Sequence, residues 1–251
     1  MKNCICILTL GVALMQSGCT HYYYLAETQN VPLFTQKGDL KVSGGVGCGE
    51  GTYNAEMQGA YSILDYLSAS VGVMGMGSEK ALFEESGGTT FHGALGFYSR
   101  VGKSMVFETY GGLGGYYQHN QYQNGTYISD ITAMRMFLQP NLGYVSKSFE
   151  IAISTRISKL NYSKVSQNLP TAMEEYSRLI QIARDKRYLL VEPALTLRGG
   201  NGDIKFQVQL VKPFPQEFKG KRLFDTFHLS VGFIMTLNKW NWNKMTNGPD
   251  M

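Results

Sequence analysis

Histidine is the residue type in this chain whose chemistry is most readily assigned, and the sequence has four of them. His119 precedes Asp130 in a polar segment, and a histidine oriented by a carboxylate can act as a general base. His92 and His228 take polar positions of strand-like runs, where a hydrogen-bonded structural role is the ordinary explanation, and His21 lies near the N-terminus. No nucleophile-elbow motif or second fixed partner accompanies His119. The sequence therefore predicts no catalytic residue, no metal site, no cofactor and no enzymatic activity.

Cys19 is the residue with the clearest chemical role. A lysine and a short apolar run over residues 2–15 have the charge and length of a bacterial signal peptide, which we assign to residues 1–18. The small residues directly before Cys19 resemble the lipobox of bacterial lipoproteins, in which the cysteine carries the acyl chains. That family prefers leucine where this chain has Gln16, and an ordinary signal peptide is the alternative. Each buried acyl methylene contributes about 0.8 kcal/mol, so lipid on Cys19 would hold the chain at a membrane.

The composition excludes several other classes of protein. Of four cysteines, two fall inside the signal peptide, and Cys19 and Cys48 form neither a disulfide framework nor a zinc motif. The net charge of +4 is spread along the chain without a basic cluster, so nucleic acid is not an expected partner. Only 17% of residues are charged, whereas 29 are glycine and 12% are aromatic, which suits pleated sheets and tight turns.

Hydrophobicity alternates with a period of two after residue 38, which is typical of strands with one apolar and one polar face. Ile151 and Ile153 share one face of such a run, and Glu150 and Ser154 share the other. Ten runs of this kind are expected at about Leu40–Gly47, Tyr53–Ser62, Leu67–Gly77, Thr89–Arg100, Val106–Gln118, Thr132–Ser146, Phe149–Leu160, Leu189–Gly199, Ile204–Leu210 and Phe227–Leu237.

The connections between these runs alternate in length from the second run onward. Short connections such as Val101–Ser104 and Lys147–Ser148 alternate with long ones such as Ser78–Gly88 and His119–Ile131. Short turns at one end and long loops at the other are typical of outer-membrane barrels. We therefore predict an all-β fold, an antiparallel up-and-down barrel of about ten strands (eight to twelve as the alternative). An even number places both termini at the short-turn end, facing the periplasm, together with lipid on Cys19.

Charge placement agrees with a membrane barrel, although a soluble barrel with its apolar face inward would show the same alternation. The membrane barrel is favoured because the polar face mixes charges of both signs, as a narrow packed lumen requires. Lys159 is the only charged side chain within the runs that falls on the apolar face, near a strand end. The others fall on the polar face, where they avoid lipid: Lys41, Glu56, Arg100, Glu108, Arg135, Glu150, Arg156, Glu192, Arg198 and Lys205.

Two local signals make finer predictions. Asn201-Gly202 is the preferred dipeptide of a type I′ turn, and this turn sets Leu197 opposite Phe206 in a hairpin. Pro140 lies inside a predicted strand and lacks the N–H group that a ladder requires, so we expect a bulge there.

One long loop is predicted to contain an amphipathic helix. Thr171 to Glu174 fits a capping box, and the helix is expected to run to about Lys186. Its apolar stripe either packs on the barrel rim or docks a partner, and the candidate partner-binding residues on it are Met173, Tyr176, Leu179 and Ile180.

The segments Asn30–Phe34, Gln58–Tyr61 and Glu192–Gly200 together resemble a family of uncharacterised envelope lipoproteins with outer-membrane β-barrel-like domains in Gram-negative bacteria. The resemblance implies an outer-membrane location and a barrel, and it implies no ligand or reaction. We divide the chain into the signal peptide, a lipidated N-terminus and tether over residues 19–38, a barrel over residues 39–238, and a tail over residues 239–251.

Three functions are compatible with this reading. The first is a non-enzymatic outer-membrane lipoprotein, with membrane lipid as its partner, whose long loops bind a surface ligand or an envelope protein, or brace the envelope. The second is a tethered soluble barrel that binds an apolar ligand inside, as lipocalins do. The third is an outer-membrane enzyme that modifies lipid A or cleaves peptides, with His119 or His92 as its base.

Overall fold

The computed structural model describes residues 23–49, 51–80, 84–216, 224 and 226–237. The signal peptide, Cys19, His21 and the tail lie outside these ranges. In chain order the elements are β1 Leu40–Cys48, β2 Tyr53–Ser62, β3 Leu67–Lys80, β4 Glu84–Val101, β5 Met105–Tyr122, β6 Tyr127–Val145, β7 Phe149–Gln167, α1 Glu174–Asp185, β8 Arg187–Gly199, β9 Ile204–Val211, β10 Phe214–Gln216 and β11 His228–Leu237.

Ten strands close into an antiparallel barrel. Strands β1 to β9 pair in sequence order, β9 pairs with β11, and β11 returns to β1, where Leu40 lies opposite Leu237. The short strand β10 adds to β8 outside this cycle. The predicted all-β barrel of about ten strands with one helix is therefore confirmed. Because β1 begins and β11 ends at the same rim, both ends of the strand cycle lie at the short-turn end.

The barrel carries its apolar side chains on the outside. On β7 the side chains of Ile151, Ile153 and Ile157 point outward, and Ile153 is 60% exposed. Glu150 and Ser154, between them in sequence, are buried in the lumen. The outward positions of the other strands repeat this pattern and form an apolar belt that includes Val71, Leu95, Leu113, Met136, Leu195, Phe206 and Phe233. An apolar outer wall around a polar interior is the arrangement of a transmembrane barrel.

The charged residues follow the predicted faces. Lys159, the one charged residue predicted on the apolar face of a strand, points outward and is exposed. The members of the predicted polar set face the lumen, although Arg100 lies at the rim and is exposed. Eight of them are buried: Lys41, Glu108, Arg135, Glu150, Arg156, Glu192, Arg198 and Lys205.

The buried polar face makes a chemical prediction. Ser154→Cys and Gln207→Cys, in a chain whose other cysteines are serine, should react slowly with a small water-soluble maleimide, because both positions are buried in the lumen. The matched control is Asn201→Cys in an exposed turn, which should react rapidly. Mass spectrometry of the folded protein measures all three rates, and rapid labelling of both lumen sites would contradict the inside-out arrangement.

Two predicted long loops are mostly strand. β3 continues to Lys80 and β4 begins at Glu84, so residues 78–80 and 84–88 of the predicted loop are strand. Likewise β5 reaches Tyr122 and β6 begins at Tyr127, which leaves a four-residue turn with positive φ at three positions. In these four strands the alternation of inward and outward side chains continues past the apolar belt. The hydrogen-bonded strand pairs therefore extend beyond the belt. The longer connections on this end are the two that contain α1 and β10.

The register of the β8–β9 hairpin differs from the prediction. Leu197 lies opposite Val208 and not Phe206, a slip of two residues. A type I′ turn needs positive φ at both central residues, and here Gly202 has it while Asn201 does not. The turn is wider, and Gly200 donates its N–H to the Ser148 carbonyl of the neighbouring turn at 3.0 Å. A slip of two residues keeps each side chain on its predicted face.

The predicted bulge at Pro140 is wrong. Pro140 keeps its register, opposite Thr109 on β5, and the ladder to β7 resumes unshifted at Asn141. The register shift between β6 and β7 lies instead between Thr132 and Ala133, nearer the rim with α1.

The helix begins later than predicted. Its N-cap is Met173, without a side-chain cap, and not Thr171, so the capping box does not form. It ends at Asp185, where Lys186 takes a left-handed conformation. Among the described residues, no helix combines the length and the apolar character that a membrane crossing demands.

Candidate functional site

The lumen of the barrel is filled by the chain's own N-terminal segment. Residues 23–34, which lie in the predicted tether, are all buried inside the strands. We call residues 23–34 the lumen segment. The sequence predicts a tether here because residues 23–34, considered alone, form no regular element. The polar inner wall of the barrel supplies these residues with hydrogen-bond partners that an isolated peptide lacks.

The first part of the lumen segment lies under α1. Tyr23 and Tyr24 belong to an apolar cluster with Leu179 and Ile182 of the helix. The Tyr162 hydroxyl donates to the backbone carbonyl of Tyr23 at 2.9 Å. This cluster closes the barrel at the end that bears the helix.

Glu27 is the centre of a buried charge cluster. Its carboxylate pairs with Arg135, lies 2.8 Å from Nη1 of Arg156, and lies 3.2 Å from Nδ1 of His92. The Thr90 hydroxyl donates to its other oxygen at 2.6 Å. All of these side chains are buried, so two guanidinium groups without access to bulk water share this one carboxylate as their ion-pair partner.

A second network connects this cluster to the wall. The Tyr24 hydroxyl donates to Glu192 at 2.8 Å, and Arg135 donates to that hydroxyl at 3.1 Å. Arg156 also donates through Nε to the Gln139 side chain at 3.0 Å. Most donors and acceptors of these charged groups are thus used locally, as burial requires, whereas Nε of Arg135 has no hydrogen-bond partner among the described residues.

The middle of the lumen segment is held by amides and hydroxyls. The Thr28 hydroxyl donates to Ser230 at 2.8 Å and lies 3.2 Å from Nε2 of His228. The Gln58 side chain donates to the Thr28 carbonyl at 2.7 Å. The Gln139 side chain donates to the Asn30 carbonyl at 2.8 Å.

The last part of the lumen segment turns sharply and packs at the opposite end. Leu33 has a φ of 56°, a left-handed conformation that costs a residue with a side chain roughly 1–2 kcal/mol. Lys41 donates to the Leu33 carbonyl at 3.1 Å, and the Phe34 N–H donates to Glu108 at 2.8 Å. A Cβ atom at Gly143 would come within 2.5 Å of Cδ2 of Leu33, so glycine at this wall position makes room for the Leu33 side chain.

The lumen segment is bound as an extended peptide is bound by a protein. Within the described ranges, residues 24–35 belong to neither helix nor strand. Wall side chains therefore satisfy their backbone groups, for example Arg198, which donates to the Val31 carbonyl at 2.6 Å. The arrangement can hold a peptide in one register and close the lumen. In the described part of the chain, no cluster of histidine, cysteine and carboxylate side chains fits a metal ion.

His119, the candidate base of the enzymatic alternative, does meet Asp130, but the pair lies outside the barrel. Nδ1 of His119 lies 2.8 Å from Asp130, and the Tyr117 hydroxyl donates to the same carboxylate at 2.9 Å. Both members of the pair are about one third exposed. They lie on the outer wall beyond the apolar belt, away from the lumen. His92 and His228, in contrast, are lumen residues that contact the lumen segment.

The helix uses most of its apolar stripe for packing. Leu179 is fully buried, and Met173 and Tyr176 pack against the same cluster. Ile180 points away and is 45% exposed. Of the four candidate partner-binding residues, the structure leaves only Ile180 largely open to a partner. Most of the stripe therefore packs on the barrel rim, the first of the two predicted alternatives.

Glu27 is the functional residue that sequence reasoning missed, although a signal for it exists. The predicted polar face carries six basic side chains (Lys41, Arg100, Arg135, Arg156, Arg198, Lys205) and four acidic ones (Glu56, Glu108, Glu150, Glu192). Since Arg100 lies at the exposed rim, five bases and four acids remain inside the lumen, and one further acid balances them. Glu27, the first acidic residue of the chain, supplies it.

Comparisons with known proteins identify the fold and no family. No family model matches the sequence, and no curated protein matches it. Among solved structures, the translocator domain of the autotransporter NalP from Neisseria meningitidis is similar with a TM-score of 0.50 and 9% identity, over 80% of this chain and 89% of that chain. The outer membrane protease OmpT from Escherichia coli has a TM-score of 0.48 and 10% identity, over 84% and 99% of the two chains. At this identity the likeness establishes the barrel fold alone.

Proposed function

We propose that this chain is a non-enzymatic lipoprotein of the outer membrane of a Gram-negative bacterium. It spans the membrane as a closed barrel and carries a lipid on Cys19. Its helix-bearing rim binds a surface ligand or an envelope protein, or braces the envelope. The observation that carries the proposal is an apolar outer wall around a lumen that the chain itself fills.

The outer wall supports the membrane part of the proposal. Hydrocarbon leaves no partner for unpaired backbone groups, so a spanning sheet has to be closed, and this one is closed by the β1–β11 pairing. The belt exposes large apolar side chains such as Phe91, Leu95 and Met136, each more than 60% exposed. In water a continuous surface of this kind would drive aggregation.

The soluble carrier does not fit the interior. An apolar ligand needs an apolar cavity, whereas the inner wall here is lined by buried polar and charged side chains such as Glu108, Gln139 and Arg198. The lumen segment occupies the space in which such a ligand would lie. The interior therefore favours the membrane barrel over the lipocalin-like alternative.

The placement of the titratable groups supports a non-enzymatic role. His92 and Glu27 hold the lumen segment, and His228 lies beside Thr28, so these groups already have a structural task. The His119–Asp130 pair lies on the outer wall, with the Tyr117 hydroxyl on the carboxylate. The rim that bears α1 offers an exposed surface that includes Ile180 and Arg184.

Lipid attachment provides the direct test of the proposal. Cells fed a clickable fatty-acid analogue should label the wild-type chain and not Cys19→Ala, because the thiol of Cys19 is the predicted acylation site. In-gel fluorescence of the purified chains measures the difference. Cys48→Ala is the matched control and should label as the wild type does, since Cys48 is a free cysteine of the barrel wall. Equal labelling of Cys19→Ala and wild type would rule out Cys19 as the attachment site.

A further inference from the structure

The lumen segment crosses the whole barrel from one rim to the other. Its contacts on a single strand, β5, show this. The Tyr23 hydroxyl lies 3.5 Å from the hydroxyl of Tyr122, the last residue of β5. The Phe34 N–H donates to Glu108, near the first residue of that strand. Between these two contacts β5 covers roughly 35 Å along the barrel axis, once strand rise and tilt are combined.

The contacts on β6 run in the same order. Glu27 pairs with Arg135, and the Asn30 carbonyl accepts from Gln139, four positions further along the strand. Along the barrel axis, the three residues from Glu27 to Asn30 therefore cover about the same distance as four residues of a tilted strand. This is the advance of an extended chain that lies along the barrel axis.

The two ends of the lumen segment lie at different rims. Beyond Phe34, the Gln36 carbonyl accepts from the Ser62 hydroxyl at 2.8 Å, beside the short turn that joins β2 to β3. The chain then enters β1 at Leu40, at this same rim. Tyr23, in contrast, packs with Leu179 of the helix at the rim with the longer connections.

We infer that the chain preceding Tyr23 emerges at the helix-bearing rim, on the cell exterior, so that lipid on Cys19 enters the outer leaflet there. Short turns face the periplasm and longer loops face outward in barrels of this kind. Cys19 precedes Tyr23 by four residues, which span at most about 14 Å, far less than the length of the lumen. This rim is opposite to the one that the loop pattern predicts for the lipid.

The inference that lipid enters the outer leaflet rests on the proposed function, because it requires a lipid on Cys19. The inferred path of the chain through the barrel does not require that lipid. The path depends on the contacts of residues 23–34 alone. The buried pairs of Glu27 with Arg135 and Arg156 hold the lumen segment in one register, because moving it would leave these charges without partners.

Epitope accessibility tests the direction. A short epitope is inserted into the full-length chain after Thr20, after Thr171 in the exposed turn before the helix, or after Gly202 in a short turn. Antibody binding is measured by flow cytometry on intact and on permeabilised cells. We expect the first two epitopes to be labelled on intact cells and the third only after permeabilisation. An epitope at Thr20 that behaves like the one at Gly202 would overturn the inference.

A cross-link tests the path independently. The Thr28 and Ser230 hydroxyl oxygens are 2.8 Å apart, so Thr28→Cys with Ser230→Cys, in a Cys48→Ser chain, should form a disulfide in the membrane. Thr28→Cys with Val231→Cys is the matched control and should not, because Val231 points outward. Peptide mapping identifies the bond, and its absence in the first pair overturns the threading.

The two proposals fail separately. A Cys19→Ala chain that loses fatty-acid label but keeps the exterior epitope at Thr20 supports the inference. A wild-type chain without label, whose Thr20 epitope is still exterior, ends the lipoprotein proposal and leaves the threaded path supported.

Discussion

Glu27→Ala should lower the free energy of unfolding by about 3–5 kcal/mol, the usual cost of leaving a buried charge without its partner. The substitution removes the carboxylate shared by Arg135 and Arg156 and leaves both guanidinium groups buried in the lumen. It also removes the acceptor of the Thr90 hydroxyl. Urea unfolding of the protein in lipid vesicles, followed by circular dichroism and by gel mobility without boiling, measures the loss.

The controls for Glu27 separate charge from volume. Glu27→Gln keeps the size and the hydrogen-bonding oxygen but loses the charge, so it should be intermediate in stability. Asp65→Ala removes a carboxylate from an exposed turn and should change the free energy of unfolding by less than about 0.5 kcal/mol. If Glu27→Ala were as stable as Asp65→Ala, the charge cluster would not be what holds the lumen segment.

Ile153→Arg should cost roughly 2–4 kcal/mol of membrane stability and reduce insertion. Ile153 lies on the outward face of β7 after Ile151 and before Thr155 and Ile157, and it is 60% exposed to the surroundings of the barrel. An arginine there faces hydrocarbon. Outer-membrane yield and urea unfolding in vesicles measure the effect.

The matched control for Ile153 is an outward-facing isoleucine that lies nearer the membrane interface. Ile128 also points outward but lies next to the first residue of β6, at the rim with α1. Ile128→Arg should therefore cost no more than about 1 kcal/mol, because arginine near the interface reaches the headgroups. Equal costs at the two positions would contradict a membrane belt and indicate a soluble core.

The strands and their faces were predictable because they depend on local alternation. β2 was predicted with the bounds that the structure shows, Tyr53–Ser62, and the inward and outward sides of β7 agree with the sequence pattern. The period of two carries this information at each residue, so a strand can be recognised without its neighbours.

Register and loop length were less predictable because they depend on neighbouring chains. The turn at Gly200 bonds to the Ser148 carbonyl of another turn, which a rule for isolated hairpins does not include. The segments around Ser86 and Asn120 are polar enough to read as loops, yet they pair across β4 and β5, where the Ser86 hydroxyl donates to Asn120 at 2.7 Å.

The candidate site was the least predictable part because it joins residues that are far apart in sequence. Cys19 and the candidate stripe on α1 could be proposed from short motifs. The partners of Glu27 lie on β4, β6 and β7, and only a closed barrel brings them together. A charge balance over the predicted inner face would have called for an acid, without saying which one.

The lumen segment also constrains the order in which the molecule assembles. The residue pairs from Leu40–Leu237 to Cys48–Leu229 join the first strand to the last one synthesised, and this seam completes the ring. Once the seam has formed, passing the Glu27 carboxylate and the acyl chains proposed for Cys19 through a filled lumen is prohibitively unfavourable. We therefore expect the lumen segment to be in place before β1 pairs with β11, so that the barrel closes around it. The path of this segment across the membrane is then set during assembly and does not change afterwards.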